Sequence, residues 1–111
     1  MDITTHQYKH CDLISVKGRV DSYTAPKLGE AFENINAAGR YKIVLDLSGL
    51  EFMSSAGFRT LLMAQRTCKR YNRGEIVLAC VPKRTMEAFE LTGFTPLFIY
   101  FPDLTSAVGN F

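Results

Sequence analysis

The stretch from Asp46 to Leu62 reads DLSGLEFMSSAGFRTLL, and at its centre two serines are followed by two small residues, Ser54-Ser55-Ala56-Gly57. A strand-like apolar run precedes them and a helix-like run follows, so they stand where a strand hands over to a helix. The first turn of a helix carries unpaired N–H groups and the positive end of the helix dipole. It therefore favours an anion, phosphate included. Ser55, or Ser54, would place a hydroxyl at that end, and Ala56 and Gly57 add little bulk around it. Serine is also among the commonest N-caps, so the same residues serve equally as a plain helix start. Residue types alone leave both readings open.

Nucleophilic chemistry is poorly supplied. The GxSxG elbow is absent, because the run reads Met-Ser-Ser-Ala-Gly, and there is no GxxxxGK(S/T) phosphate loop. A serine nucleophile needs a base, and the only histidines are His6 and His10, near the start of the chain. Their spacing would suit a metal on a helix, but HQYKHCDLISV reads as strand and carries no ligand motif. Cys11, Cys68 and Cys80 are odd in number and lack CxxC spacing. They are expected to pack as small hydrophobes in a reducing compartment. No cofactor or metal is expected.

The elements that must position the serines alternate in type. Residues 3–10 read as an N-terminal strand, Cys11-Asp12 as a turn and 13–20 as a second strand, together an antiparallel hairpin. Thr24 or Ser22 would cap a helix that opens with Pro26, buries Leu28, Ala31, Phe32 and Ile35, and ends at Gly39. KIVLDL (42–47) suits a strand buried on both faces, with Ser48-Gly49 turning the chain after it. Gly57, Leu61, Ala64, Cys68 and Tyr71 form the buried stripe of the next helix, closed by Asn72-Arg73-Gly74. EIVLAC (75–80) is another buried strand. Pro82 and Lys83 open a helix with Met86, Phe89 and Leu91, stopped by Thr92-Gly93. Residues 96–100 read as a last strand, and Asp103 caps a short helix with Leu104, Ala107 and Val108. The expected fold class is α/β, a mixed sheet with an N-terminal antiparallel hairpin, parallel βαβ units and helices packed against the sheet.

At 111 residues, 47% apolar and 22% charged, the chain is expected to form one globular domain over residues 1–111. A net charge of +2 is too small to imply nucleic acid. No run approaches the roughly 18 apolar residues of a membrane span, and MDITTHQYKH does not read as a signal peptide. A cytoplasmic protein without membrane insertion is expected. On the second helix Arg59, Met63, Arg66, Arg70 and Arg73 step by four, three, four, three, opposite the buried stripe. Arginine is enriched at interfaces and methionine adapts there, so this stripe is either a contact face or a solvated one. It lacks the interleaved aromatics of a nucleic-acid surface.

DLSGLEFMSSAGFRTLL resembles the signature of the STAS domain, the module of bacterial anti-sigma factor antagonists. There an apolar strand and Asp-Leu-Ser lead through a spacer to Asp/Ser-Ser-small-Gly at a helix start. Gly18-Arg19-Val20-Asp21 with Thr24-Ala25 resembles the family's turn before its first helix. Phe89-Glu90-Leu91-Thr92-Gly93-Phe94 with Leu97-Phe98 resembles its late Leu-x-x-Thr-Gly-Leu and Leu-Phe segments. The resemblance covers nearly the whole chain and implies a STAS-type fold and a non-enzymatic partner switch. The unmodified protein would bind a serine-kinase anti-sigma factor, phosphorylation would block binding, and a metal-dependent serine phosphatase would reverse it. Carried onto this sequence, the phosphoacceptor is Ser55, with Ser54 as second choice. Ser54 stands where the best-known members have Asp. The residues implied to meet a partner are Asp21, Ser22, Met53, Ser54, Ala56, Gly57, Phe58, Arg59, Met63 and Arg66. The alternative is a STAS module that is never phosphorylated, in a stressosome-like or transporter-associated assembly. A more distant one is a small nucleotide-binding protein using the same helix N-terminus.

Overall fold

A computed structural model of the chain describes residues 1–70 and 73–111. Its elements are β1 (Asp2–Gln7), β2 (Asp12–Val20), α1 (Ala25–Ala37), β3 (Lys42–Met53), α2 (Ser55–Lys69), β4 (Glu75–Ala79), α3 (Lys83–Thr92), β5 (Ile99–Phe101) and α4 (Leu104–Gly109). The five strands pair in sequence order. β1 runs antiparallel to β2, and β2 through β5 are parallel. This is the mixed sheet expected from a hairpin followed by βαβ units.

Burial explains why the central runs lack alternation. Ile43, Leu45, Ile76 and Leu78 point into a core with Leu28 and Phe32 of α1, Leu61 of α2 and Phe89 of α3. Val44, Val77 and Ala79 point to the other face, where Ala107, Leu104 and Val108 of α4 cover them. Strands covered on both faces are apolar throughout. Phe58, Phe98 and Tyr100 pack edge-on around Phe89, with ring centroids 4.8, 5.8 and 5.9 Å away. Cys11 and Cys68 are buried and Cys80 is half-buried, all as free thiols.

The largest departure from expectation is β3. Ser48-Gly49 does not turn the chain; the strand continues to Met53. Between Ser15↔Asp46 and Lys17↔Gly49, and again between Gly18↔Leu50 and Arg19↔Phe52, β3 carries one residue more than β2. These are bulges, and each re-aims the side chains beyond it. The inward residues therefore run Leu45, Leu47, Leu50, Met53. The spacing of three from Leu47 onward conceals a strand from a period-2 reading.

Smaller corrections have local causes. β1 stops at Gln7, and the Tyr8 amide donates to the Cys11 carbonyl at 2.8 Å, so the turn lies before Asp12. Leu91, within α3 as expected, is 89% exposed, because a residue two positions after the buried Phe89 points to the opposite side of a helix. Thr95–Leu97 is a 3-10 turn, and β5 starts only at Ile99. Pro96 has no amide to offer a sheet ladder. In α2 the expected Gly57, Leu61, Ala64 and Cys68 are buried, joined by Phe58 and Gln65. Tyr71 and Asn72, expected in the stripe and at the helix end, lie outside the described residues. Among the described residues no helix is long and apolar enough to cross a membrane.

Two glycines test the packing between helices and sheet. A Cβ built on Gly57 would come within 2.6 Å of Met53 Cγ and 2.9 Å of Val20 Cγ1, both buried. On Gly29 it would meet only Thr60 Cγ2, at an ordinary 3.5 Å. Gly57→Ala is expected to cost about 1–3 kcal/mol through overpacking. Gly29→Ala is expected to stabilise by about 0.5–1 kcal/mol through its effect on the unfolded chain. Urea denaturation of both variants checks the opposite signs.

Candidate functional site

β2 and β3 end together. Val20 pairs with Met53, and the Ser54 amide donates to the Val20 carbonyl at 2.8 Å. The chain then enters α2 on one side and approaches α1 on the other. This brings Asp21 and Ser22 to the same end of the sheet as Ser54 and Ser55, at the carboxyl ends of parallel strands, where α/β folds hold their sites.

The two serines differ in what their hydroxyls do. Ser54 has extended backbone, is half-buried and is the N-cap of α2, its Oγ accepting from the Gly57 amide at 3.4 Å. Ser55 is the first helical residue and is exposed. Among the described residues its hydroxyl has no hydrogen-bond partner. The cap and the free hydroxyl are thus separate residues. The first-turn N–H groups and the dipole provide a positive local potential there.

Asp21 is engaged structurally. Its carboxylate accepts from the amides of Tyr23 at 2.9 Å and Thr24 at 3.1 Å, while its own amide donates to Thr24 Oγ1 at 2.8 Å. The Thr24 hydroxyl in turn donates to the Arg19 carbonyl at 3.0 Å. Thr24 therefore holds the N-cap position of α1 without capping it through its side chain, and Asp21 organises the turn instead of Ser22 or Thr24. The Thr24 amide, with that of Tyr23, holds the Asp21 carboxyl below its ordinary range, against desolvation that acts the other way.

Several residues expected to meet a partner are interior. Met53 and Phe58 are each 6% exposed, and Gly57 is buried against Met53 and Val20. Gly57 therefore serves close packing and not clearance around the hydroxyl. Ser22, Arg59, Met63 and Arg66 are exposed, and Ala56 and Asp21 are half-buried. The arginine stripe is shorter than expected. Arg70 is the C-cap of α2, and the Arg73 guanidinium lies over the Tyr41 ring at 5.1 Å, away from the helix.

Ser22, Ala56, Arg59 and Met63 share one feature that the sequence did not disclose. They line a groove between α1 and α2 of roughly 1020 Å³, whose other wall includes Gly29, Glu30 and Glu33. The α1 residues were missed because the pattern of that helix was used only to find its buried side. The signal was present in Gly29 and Ala37, small residues outside the buried stripe of that helix. Tyr23, 89% exposed beside Ser22, was missed as well. His6 and His10 lie elsewhere. His6 pairs with Leu13, seven residues or about 23 Å along β2 from Val20, and His10 lies in the turn beyond.

The family model described as "Mlab, STAS domain" matches residues 3–99. The chain is 30% identical over 97 residues to the anti-sigma-B factor antagonist of Listeria monocytogenes, covering 87% of this chain and 83% of that one. It is similar in structure to an anti-sigma factor antagonist from Mycobacterium paratuberculosis, with TM-score 0.86, 26% identity and coverage of 98% and 92% of the two chains. The Bacillus cell fate determinant SpoIIAA in its phosphorylated form has TM-score 0.76 at 15% identity, each chain 98% covered, a likeness of fold.

The division of labour between the serines has a direct readout. Ser54→Ala is expected to lower stability by about 0.5–1 kcal/mol through loss of the cap, and Ser55→Ala to change it by less than about 0.5 kcal/mol. Chemical denaturation distinguishes them. Because the Asp21 carboxyl has a lower pKa folded than unfolded, its charge stabilises fully above about pH 4 and loses effect as the pH falls through the folded value. Asp21→Asn keeps an acceptor but removes the charge. Its melting temperature is expected to lie below that of the unaltered chain at neutral pH, with the gap closing in acid.

Proposed function

The chain belongs to the STAS domain family, and on that premise we propose that it is an anti-sigma factor antagonist switched by phosphorylation of Ser55. The observation that carries this reading is the exposed, unengaged Ser55 hydroxyl at the start of α2, next to a Ser54 already used as the cap. Relatives named as anti-sigma factor antagonists support the role. A protein of the same fold that occurs in a phosphorylated form supports the modification.

The physics of the switch follows from the position. A phosphoryl group adds nearly two negative charges and three acceptor oxygens. At the first turn of α2 these meet unpaired N–H groups and the positive dipole end, so the domain stays folded. A neutral Ser54 cap, where the best-known members have Asp, puts no carboxylate at the adjacent position to oppose the phosphate. The effect falls on the interface. A serine-kinase anti-sigma factor shaped for a neutral hydroxyl would have to desolvate a dianion, and binding is lost. A metal-dependent serine phosphatase restores it.

In this reading the chain is a binding protein and not a catalyst. His6 and His10 lie toward the far end of β2, away from Ser55.

Intact-mass analysis of the protein from its own host, with peptide mapping across residues 51–66, tests the site. One phosphoryl group on Ser55 is expected. Phosphate on Ser54 would move the site to the cap residue, and none under any growth condition would favour the unphosphorylated module. Against the host's serine-kinase anti-sigma factor, Ser55→Ala is expected to bind like the unaltered chain. Phosphoserine at position 55 is expected to weaken binding by about 100-fold or more, a loss of about 2.7 kcal/mol, measured by calorimetry.

A further inference from the structure

We propose that the groove between α1 and α2 seats an amphipathic helix of the partner, its acidic flank against Arg59 and its basic flank against Glu30 and Glu33. This rests on the reading of Ser55 as the switch, since it assigns a docking element to the partner that reads that serine.

Each wall of the groove is one helix face. On α1, Glu33 stands four residues from Gly29 and three from Glu30, and on α2 Ala56, Arg59 and Met63 are spaced by three and four. α1 spans about 18 Å, enough to bed a helix of three turns or so. The floor is low, because Gly29 contributes no side chain where α1 passes Thr60. A third backbone can approach closely there. Met63, 60% exposed, is an adaptable apolar side chain left in water on the α2 side. A hollow of this shape takes a helix by its apolar stripe.

Charge selects the occupant. Glu30 and Glu33 are exposed on one bank and Arg59 on the other, and none of the three is ion-paired among the described residues. A small apolar molecule would leave both banks unused. A second copy presents the same hollow, and two hollows do not fill each other. A helix with apolar, acidic and basic sides satisfies floor and banks together. Ser22 and Ala56 line one end of the groove, so Ser55 stands at its mouth. Arg59 lies one turn after Ser55 on the same face of α2. A phosphoryl group on Ser55 therefore competes with the partner's acidic flank for Arg59.

The test uses the full chain, isotope-labelled for NMR, and lactam-bridged helical peptides of about 15 residues, a length at which an unbridged helix is only marginal. The first probe carries a leucine stripe with glutamates on one flank and lysines on the other. Its resonance shifts are expected to fall between Gly29 and Glu33 and between Ala56 and Met63. Peptides with both flanks of one sign are expected to bind about tenfold more weakly. Arg59→Glu alone, and Glu30→Lys with Glu33→Lys, each weaken the mixed-flank peptide about tenfold. All three substitutions together restore it, because the peptide can lie in the groove in the opposite direction. These residues are on the surface, so the fold survives the changes. Shifts elsewhere, no binding, equal binding of all peptides, or self-association of the chain through this groove would overturn the proposal. Phosphoserine at position 55 separates the two readings. If it weakens the mixed-flank peptide, groove and switch stand together; if the peptide binds unchanged, the groove stands and the competition for Arg59 falls, while the switch itself is judged by phosphate on Ser55 and by binding of the whole partner. A chain phosphorylated on Ser55 in its host whose groove takes no peptide gives the reverse.

Discussion

The paired ends of β2 and β3 govern the geometry of everything near Ser55. Val20 sits opposite Met53, the Ser54 amide is tied to the Val20 carbonyl, and α2 begins in the space left by the missing side chain of Gly57. Any side chain at Gly57 would force α2 away from two buried residues of the sheet. Protein interiors yield little to such demands. The close approach therefore fixes where α2 starts, which residue caps it and which residue is left exposed beside the cap.

Two bulges make that alignment possible. From Ser15 to Val20 β2 advances five residues, while from Asp46 to Met53 β3 advances seven. Without the two extra residues, the inward series ending in Met53 would not reach the strand end on the core side. Asp46 is settled by the same irregular segment. It is 8% exposed, and its carboxylate accepts from the Ser15 hydroxyl at 3.1 Å and the Ser48 amide at 3.0 Å. A buried carboxylate held in this way anchors the strand just where its pairing becomes irregular.

α2 is also fastened along its length. Gln65 is buried, accepting from the Ile76 amide at 2.7 Å and donating to the carbonyls of Ile76 at 3.1 Å and Leu97 at 2.9 Å. The helix that carries Ser55 is thus locked to β4 and to the turn before β5. At the other end of the sheet Arg40 pairs with Asp12 and donates to the Tyr8 carbonyl at 2.6 Å, closing the hairpin turn against the chain leaving α1. A scaffold held at both ends presents a surface that a partner can read without first ordering it. In such a molecule a charge added on the surface is felt by the partner more than by the fold.

Much of this was legible in the chain. Continuous apolar runs marked β3 and β4 because strands covered on both faces need no polar side. Helix stripes marked α1 and α2 because a 3.6-residue period places every third or fourth side chain on one face. Asp103 was readable as the α4 cap, since its carboxylate reaches the Ser106 amide at 2.7 Å from a local position. The motif around Ser54 and Ser55 identified the family before any coordinate was known. Other features depended on residues far apart in sequence. Which serine caps α2 was decided by the register of β2 against β3, and the continuation of β3 past Gly49 by bulges that a neighbouring strand must accommodate. The interior placement of Met53, Gly57 and Phe58 followed from the packing of α2 on the sheet. The groove exists only because two helices separated in sequence lie side by side. Local sequence determines period and caps, because both act within a few residues. Register, close approach and concavity belong to pairs of elements, and only their assembly decides them.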